Sequence, residues 1–256
     1  MVVKNNLIGI SGKIGAGKDL MYYILNYLAV EKDWDDFDHF MSESIVNENI
    51  FKNKKFAGKL KDIVSTLIGC DKEQLEHRDY KEKELGEEWW QYGLIRENTR
   101  KPILYPSKKG DIEKQLKVFN NAKMYINKLT PRKLLQLLGT ECGRQIIHPN
   151  IWVNALFANY KGVERLMDRG ENRSYYEEDY PNWIITDVRF PNEVEAIENN
   201  GGIVIRIDRK SVSYGTEFTI EHDSETVLDD YEFDYVIKNN GSIDDLIEEV
   251  KKLKLI

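Results

Sequence analysis

Leu7-Ile8-Gly9-Ile10-Ser11-Gly12-Lys13-Ile14-Gly15-Ala16-Gly17-Lys18-Asp19 is the stretch on which the fold turns. Leu7 to Ile10 form a short apolar run, the pattern of a buried strand ending in glycines. From Lys18 the period changes, and Leu20, Met21, Ile24, Leu25 and Leu28 fall on one helical stripe. Between strand and helix lies G-x-x-x-x-G-K, the phosphate-loop pattern. Small residues there let successive backbone N–H groups turn inward around a phosphate. The helix N-terminus adds a favourable field, and the Lys18 ammonium can bridge two phosphates. The competing reading is a glycine-rich turn with a solvated lysine, against which the flanking strand and helix argue. Gly12, Lys13, Gly15, Ala16, Gly17, Lys18 and Asp19 are therefore candidate nucleotide-binding residues. Asp19 departs from the pattern, which usually places a Ser or Thr hydroxyl on Mg2+ at this position. A carboxylate can still offer Mg2+ an oxygen, directly or through water, but its charge must be offset by metal or by Lys13.

Three more apolar runs extend the sheet: Trp183 to Thr186, Ile203 to Ile207 and Tyr235 to Ile237. Pro191 opens a helix through Val194 and Ile197 that Asn200-Gly201-Gly202 stops. Ser242-Ile243-Asp244-Asp245 reads as the capped start of a last helix, with Ile243, Leu246, Ile247, Val250 and Leu253 on its stripe. Unalternated apolar strands separated by helices indicate a parallel sheet covered on both faces. The class is α/β, a three-layer phosphate-loop sandwich. Phe56-Ala57-Gly58, with Leu60, Ile63, Val64 and Leu67, reads as a short extended piece leading into a second helix. Thr130-Pro131 starts another, with Leu134, Leu137 and Leu138 buried. Residues 31–55 read as loop and short helix, and residues 71–130, dense in charge and aromatics, as an insertion on the core.

Composition narrows the function classes. The 256 residues carry 37 Lys and Arg against 44 Asp and Glu, a formal charge of −7, which argues against coating nucleic acid. No apolar run approaches the ~20 residues that span a bilayer, and MVVKNN lacks a signal-peptide core, so neither membrane nor export is expected. Cys70 and Cys142 stand far apart without metal-ligand spacing, which sets a reducing cytoplasm as the expected compartment.

In open α/β sheets, ligands bind beyond the carboxyl ends of the strands. Thr186-Asp187-Val188-Arg189 follows one such strand and is expected to face the crevice of Lys18. Asp187 could hold Mg2+ or its water, or orient a substrate group. Arg189 could pair bidentately with a second phosphate. The bland alternative is a surface ion pair beside a helix cap. Lys61, Arg132, Arg144 and Arg209 are further cations at element ends, each unremarkable alone but together suited to phosphoryl transfer between two anions.

These blocks, in order, resemble the bacteriophage deoxynucleoside monophosphate kinases. The resemblance rests on Gly12 to Asp19, Phe56 to Asp62, Leu135-Gln136-Leu137-Leu138-Gly139-Thr140-Glu141, Trp152-Val153, Thr186 to Arg189 and Asn239-Asn240-Gly241-Ser242. It accommodates Asp19, since the family often has Gly-Lys-Asp. It implies transfer of the ATP γ-phosphate, with Mg2+, to a deoxynucleoside monophosphate in the making of DNA precursors, in the host cytoplasm for a phage protein. It also implies a mostly helical acceptor-binding insertion over about 61–180 on a single kinase core (1–60 and 181–256), a lid over about 208–231, and a homodimer. By the same resemblance Lys61, Asp62, Asp79 and Lys81 contact the acceptor nucleotide. Arg132, Gly139, Thr140, Arg144 and Trp152 hold its base and phosphate, and Arg189, beside Asp187, takes the acceptor phosphate. Arg209 approaches the transferring group with Lys18, Arg132 and Arg189, while Asn239 and Gly241 form the adenine-side loop. His222 caps a lid helix. Residues 86–128 and 160–180 receive no role. No general base is required, because the attacking phosphate oxygen is already ionised.

Two rival readings stand beside this one. Another small-molecule phosphate-loop kinase, similar to dephospho-CoA kinase, shares the Asn-Gly loop but not the Leu-Gly-Thr-Glu and Trp152 blocks. A non-catalytic nucleotide-binding protein draws its support from Asp19.

Overall fold

The computed structural model describes residues 6–30, 36–43, 50–96, 103–105, 109–118, 121–168, 174–209 and 226–255. The chain divides into two compact units, residues 1–58 with 150–256, and residues 59–149.

The first unit is built on a five-stranded sheet. Its strands are β1 (Leu7–Gly12), β2 (Lys52–Lys54), β8 (Trp183–Val188), β9 (Ile203–Asp208) and β10 (Tyr235–Lys238), in the order β10-β9-β1-β8-β2. Every pairing is parallel; Ile8, for instance, lies between Ile184 and Ile203. The period-two alternation of side chains sorts the apolar residues into two cores. Ile8, Ile10, Ile184, Ile205 and Ile207 face one cluster, and Leu7, Trp183, Ile185 and Val204 face the other.

Helices cover both faces. On the first lie α1 (Lys18–Ala29), through Met21, Ile24 and Leu25, and α2 (Phe37–Glu43), through Phe37 and Phe40. The C-terminal α9 (Ile243–Lys252) joins them through Leu246, Ile247 and Val250. On the second lie α7 (Ile151–Phe157), through Val153 and Leu156, and α8 (Pro191–Asn199), through Val194 and Ile197. Helix α8 packs so closely over β1 that a Cβ at Gly9 would sit 2.6 Å from Ile197 Cδ1. Each fully buried Ile or Leu contributes about 1.5–3 kcal/mol, so these layers supply most of the driving force. The three-layer α/β sandwich expected from the sequence is the observed architecture.

Strand β2 is the edge that the sequence hides. Its Lys52-Asn53-Lys54 carries no apolar residue, yet it pairs in register with Trp183, Ile184 and Ile185. Charged side chains on an edge strand deter further pairing, which erases the pattern that identifies a strand. A hairpin of β6 (Val163–Asp168) and β7 (Ser174–Asp179) also belongs to this unit. The chain thus returns to the first unit at Asn150, earlier than the boundary near 181 expected from sequence.

The second unit opens with the body of α3 (Ala57–Ile68), a 3-10 turn Lys72–Glu76 and α4 (Arg78–Glu82). It holds an antiparallel sheet β4-β3-β5 of β3 (Gln91–Arg96), β4 (Ile103–Tyr105) and β5 (Ala122–Asn127), with α5 (Lys109–Leu116). The expectation of a mostly helical insertion omits this sheet, because its strands are mixed in polarity. Helix α6 (Pro131–Gln136) starts where expected: Pro131 fits the first turn, and the Lys133 N–H donates to Thr130 Oγ1 at 3.2 Å. It runs directly into a wider π-helical stretch, Leu137–Ile147. Such widening recurs at functional sites, and here it spans the Leu-Gly-Thr-Glu block. The greater part of the lid expected over 208–231, with His222, lies outside the described residues. Among the described residues, no helix is long and apolar enough to cross a membrane.

Candidate active site

The loop between β1 and α1 is built as a phosphate cradle. Gly15 and Gly17 take φ of +77° and +102°, which side-chain-bearing residues adopt only at a cost, and the Ala16 N–H donates to the Lys13 carbonyl at 3.1 Å. The Lys18 ammonium folds back over the loop and donates to the Gly12 and Lys13 carbonyls at 2.5 and 2.9 Å. Asn239, at the end of β10, is buried, and its Nδ2 donates to the Ala16 carbonyl at 2.8 Å. A Cβ at Gly17 would lie 2.7 Å from that Nδ2. The residue expected on the adenine side is thus also a strut beneath the phosphate loop. Arg209 Nη1 donates to the Gly15 carbonyl at 3.3 Å, which brings the expected transfer-site arginine to the loop. Gly241 lies against Asp245, whose carboxylate accepts from the Ser242 N–H and closes the helix cap.

Asp19 is exposed and pairs with Lys55 at 3.3 Å, so its charge is offset by Lys55 rather than by Lys13. Lys13 instead pairs with Asp229 at 2.9 Å. Asp187, at the end of β8, uses both carboxylate oxygens: Oδ1 accepts from the Phe56 N–H at 2.7 Å and Oδ2 from the Ala57 N–H at 3.0 Å. Burial pushes its carboxyl above the usual range, against the downward pull of those amides, Arg189 and Lys55. This side chain therefore anchors the first turn of α3. Each oxygen keeps a second lone pair, so a role toward a metal-bound water stays chemically compatible. The Arg189 backbone is fixed in turn, because its N–H and that of Phe190 donate to the buried Glu193 carboxylate at 2.7 and 3.1 Å.

In the second unit, a separate group of cations surrounds Lys81. Burial lowers its ammonium pKa first, and the neighbouring Arg132 and Lys61 lower it further, against Glu76 and Glu82. Lys61 pairs with Glu76 at 2.5 Å, and Arg132 Nε pairs with Glu82. Three cations kept together by two carboxylates form a positive locus suited to an anion. Asp62 points elsewhere, pairing with Lys72 at 2.6 Å, and Asp79 is exposed on the first turn of α4. Gly139 lies against Leu60: a Cβ there would meet Leu60 Cδ2 at 2.8 Å, while Thr140 and Arg144 are half-buried on the π-helical stretch. Trp152, on α7 of the first unit, is buried, as a core residue would be.

Sequence reasoning missed Lys55, Glu193, Asp229 and Arg206. Only Arg206 left a signal, as the one charge inside the run Ile203 to Ile207. Glu193 acts locally, on N–H groups three and four residues before it, while Lys55 and Asp229 act through contacts between residues far apart in the chain.

A strand–loop–helix cradle with its lysine, on a parallel sheet, defines a phosphate-loop nucleotide-binding protein. Comparison with known sequences then fixes the branch. The chain belongs to the deoxynucleotide monophosphate kinase family, whose profile matches residues 6–250. It is similar to the deoxynucleoside-5'-monophosphate kinase of Escherichia phage T5, 26% identical over 207 residues, which is 75% of this chain and 71% of that protein. It is also similar to the deoxynucleotide monophosphate kinase of Escherichia phage RB69, 32% identical over 48% of this chain and 43% of the relative. A mimivirus protein named as a putative kinase of the same kind is 30% identical over 47% of this chain and 59% of its own. The chain is accordingly a kinase acting on a nucleotide monophosphate.

Proposed function

We propose that the chain transfers the γ-phosphoryl group of ATP to a 5'-deoxynucleoside monophosphate. An oxygen of the acceptor 5'-phosphate forms a bond to the γ-phosphorus. The bond from that phosphorus to the β–γ bridging oxygen breaks, and ADP leaves with the electron pair, giving a deoxynucleoside diphosphate. The observation that carries the donor half is the phosphate loop, with Lys18 over its mouth and Arg209 on its Gly15 carbonyl.

In this reading Gly12 to Lys18 wrap the donor phosphates with backbone N–H groups, and Asn239 keeps the loop in that shape. Lys18 and Arg209 neutralise charge on the transferring group, and Arg189 holds the acceptor phosphate. Lys61, Lys81, Arg132 and Arg144 serve the acceptor nucleotide, with Gly139, Thr140 and Trp152 on its base side. The protein's contribution is alignment, charge neutralisation and exclusion of water, since the nucleophile needs no deprotonation. Asp19, whose carboxylate is exposed, would hold Mg2+, with Asp187 acting through a water, and the ion would supply further neutralisation of the donor phosphates.

The test is a panel of deoxynucleoside monophosphates incubated with ATP and Mg2+, with products separated by chromatography. A deoxynucleoside diphosphate and ADP in equal amounts are expected. ATP that binds without turnover on any acceptor would instead favour the non-catalytic reading.

A further inference from the structure

Arg206 is an unusual residue for an interior strand of a parallel sheet. It lies on β9 opposite Ser11 of β1, with its side chain 11% exposed, directly beside the last residue before the phosphate loop. A buried guanidinium needs compensation on several sides. Nε donates to Asp208 Oδ1 at 3.1 Å, Nη1 to Ser11 Oγ at 3.3 Å and Nη2 to Asp229 Oδ1 at 3.0 Å. The other oxygen of Asp229 holds the ammonium of Lys13 at 2.9 Å. One carboxylate thus joins a buried, fixed cation to a half-exposed, flexible cation on the phosphate loop. Both neighbours hold its carboxyl below the usual aspartate range, although partial burial opposes them.

The two cations are not equivalent. Arg206 is held by three partners, two of them, Ser11 and Asp208, on strands of the sheet, whereas Lys13 sits at the end of a long aliphatic stem with its side chain 51% exposed. If Lys13 turns to a phosphate, Asp229 keeps Arg206 and is not left as an uncompensated charge. From this geometry we infer that Asp229 competes with the nucleotide phosphates for Lys13. Arg206 serves as the positioning residue that keeps Asp229 in place through the exchange. Asp229 therefore lowers donor-nucleotide affinity, which favours release of ADP. The inference rests on the nucleotide-binding reading of the loop, and it assigns a role to two residues outside that reading.

The experiment is equilibrium dialysis of ATP and of ADP against the wild-type chain, Asp229→Asn, Lys13→Met and the double variant. Asp229→Asn is expected to bind both nucleotides about threefold to fivefold more tightly, the size of a partly exposed ion pair. In the Lys13→Met background the same substitution should change nothing. A variant that merely lost structure would bind more weakly, so tighter binding separates the two causes. Equal or weaker binding by a folded Asp229→Asn overturns the inference, as does equal tightening with Met at position 13.

Should the Asn variant not fold, the wild-type chain still decides the matter. The carboxyl carbon of Asp229, followed by NMR across an acid titration, should show its pKa rise on ADP binding, as Lys13 leaves while Arg206 stays. An unchanged or lowered value overturns the inference. A wild-type chain that binds neither nucleotide overturns the nucleotide reading, and this inference with it. Binding without the Asp229 effect removes this inference alone.

Discussion

Replacing Gly17 by Ala tests whether the phosphate loop owes its shape to the contact with Asn239. The backbone at Gly17 has φ +102°, a conformation that costs a side-chain-bearing residue about 1–2 kcal/mol. The added Cβ would lie 2.7 Å from Asn239 Nδ2, and the neighbouring atom is a buried amide with a fixed acceptor, the Ala16 carbonyl at 2.8 Å. If Asn239 moves aside, that buried hydrogen bond is lost at about 1–3 kcal/mol. The sum is about 2–5 kcal/mol, and at about 1.4 kcal/mol per tenfold it corresponds to a loss of about thirtyfold to four-thousandfold if it falls wholly on ATP affinity. Any share falling on the fold instead should lower the melting temperature, at about 2–4 °C per kcal/mol for a chain of this size.

ATP dialysis and thermal melting together therefore close the account. A second variant sharpens it. In Gly17→Ala combined with Asn239→Ala the collision is gone, and the backbone strain and the lost Asn239–Ala16 hydrogen bond are each counted once. The double variant should lose less than the two single variants together, by about 1–3 kcal/mol. Strict additivity, within about 0.3–0.5 kcal/mol, would show that the two residues do not press on one another. A Gly17→Ala chain with wild-type affinity and stability would refute the reasoning altogether.

Other substitutions probe the rest of the site. Lys18→Ala and Arg189→Ala are each expected to lower the rate of diphosphate formation by about a hundredfold or more while leaving the melting temperature near wild type. A near-normal rate in either would remove that residue from the proposed mechanism. Asp187→Asn keeps one acceptor and turns an amide donor toward an N–H of the α3 first turn, so melting should reveal a loss of about 1–3 kcal/mol. Unchanged stability would show that the two amides are satisfied by other partners.

Lys81 carries a sign that can be checked. Its ammonium is disfavoured in the folded chain, so folding is penalised at pH below its lowered pKa, and the penalty fades as pH rises through it. Lys81→Met should therefore melt no lower than wild type at neutral pH, yet raise the KM for the monophosphate by about tenfold or more. A lower melting temperature with unchanged KM would mark Lys81 as structural. Light scattering should report the mass of a homodimer, and a monomer at assay concentration would remove that expectation.

Much of the first unit was legible because its code is local. An unalternated strand, a glycine loop and a change to helical period sit within about thirty residues of each other, and each points to the same arrangement. Pro131 and Ser242 mark helix starts by their own chemistry. What escaped is non-local or disguised. Strand β2 is a run of lysines and asparagine whose place is decided by Trp183 and its neighbours across the sheet. The strands of the second unit, Gln91–Arg96 and Ala122–Asn127 among them, are as long as β1 but mix polar and apolar residues without a clear period.

In the site, residue types were readable but pairings were not. The Asp19 charge was expected to be offset by metal or by Lys13, yet Asp19 pairs with Lys55 and Lys13 with Asp229, partners more than thirty positions along the chain. Asp187 looked like a metal or substrate carboxylate, and the amides of Phe56 and Ala57 that occupy it could be found only once the chain was folded. Asn239 was expected to meet adenine, and its contact with Ala16 adds a load that no local pattern encodes.

The central claim is that this chain moves a phosphoryl group between two nucleotides rather than merely holding one. A time course of ATP with and without a deoxynucleoside monophosphate, followed by 31P NMR, tests it directly. With acceptor present, the account predicts that ADP and the deoxynucleoside diphosphate grow in equal amounts. Without acceptor, ATP should persist. ATP consumed at the same rate in both samples, or stable in both across all four common acceptors, would contradict the account.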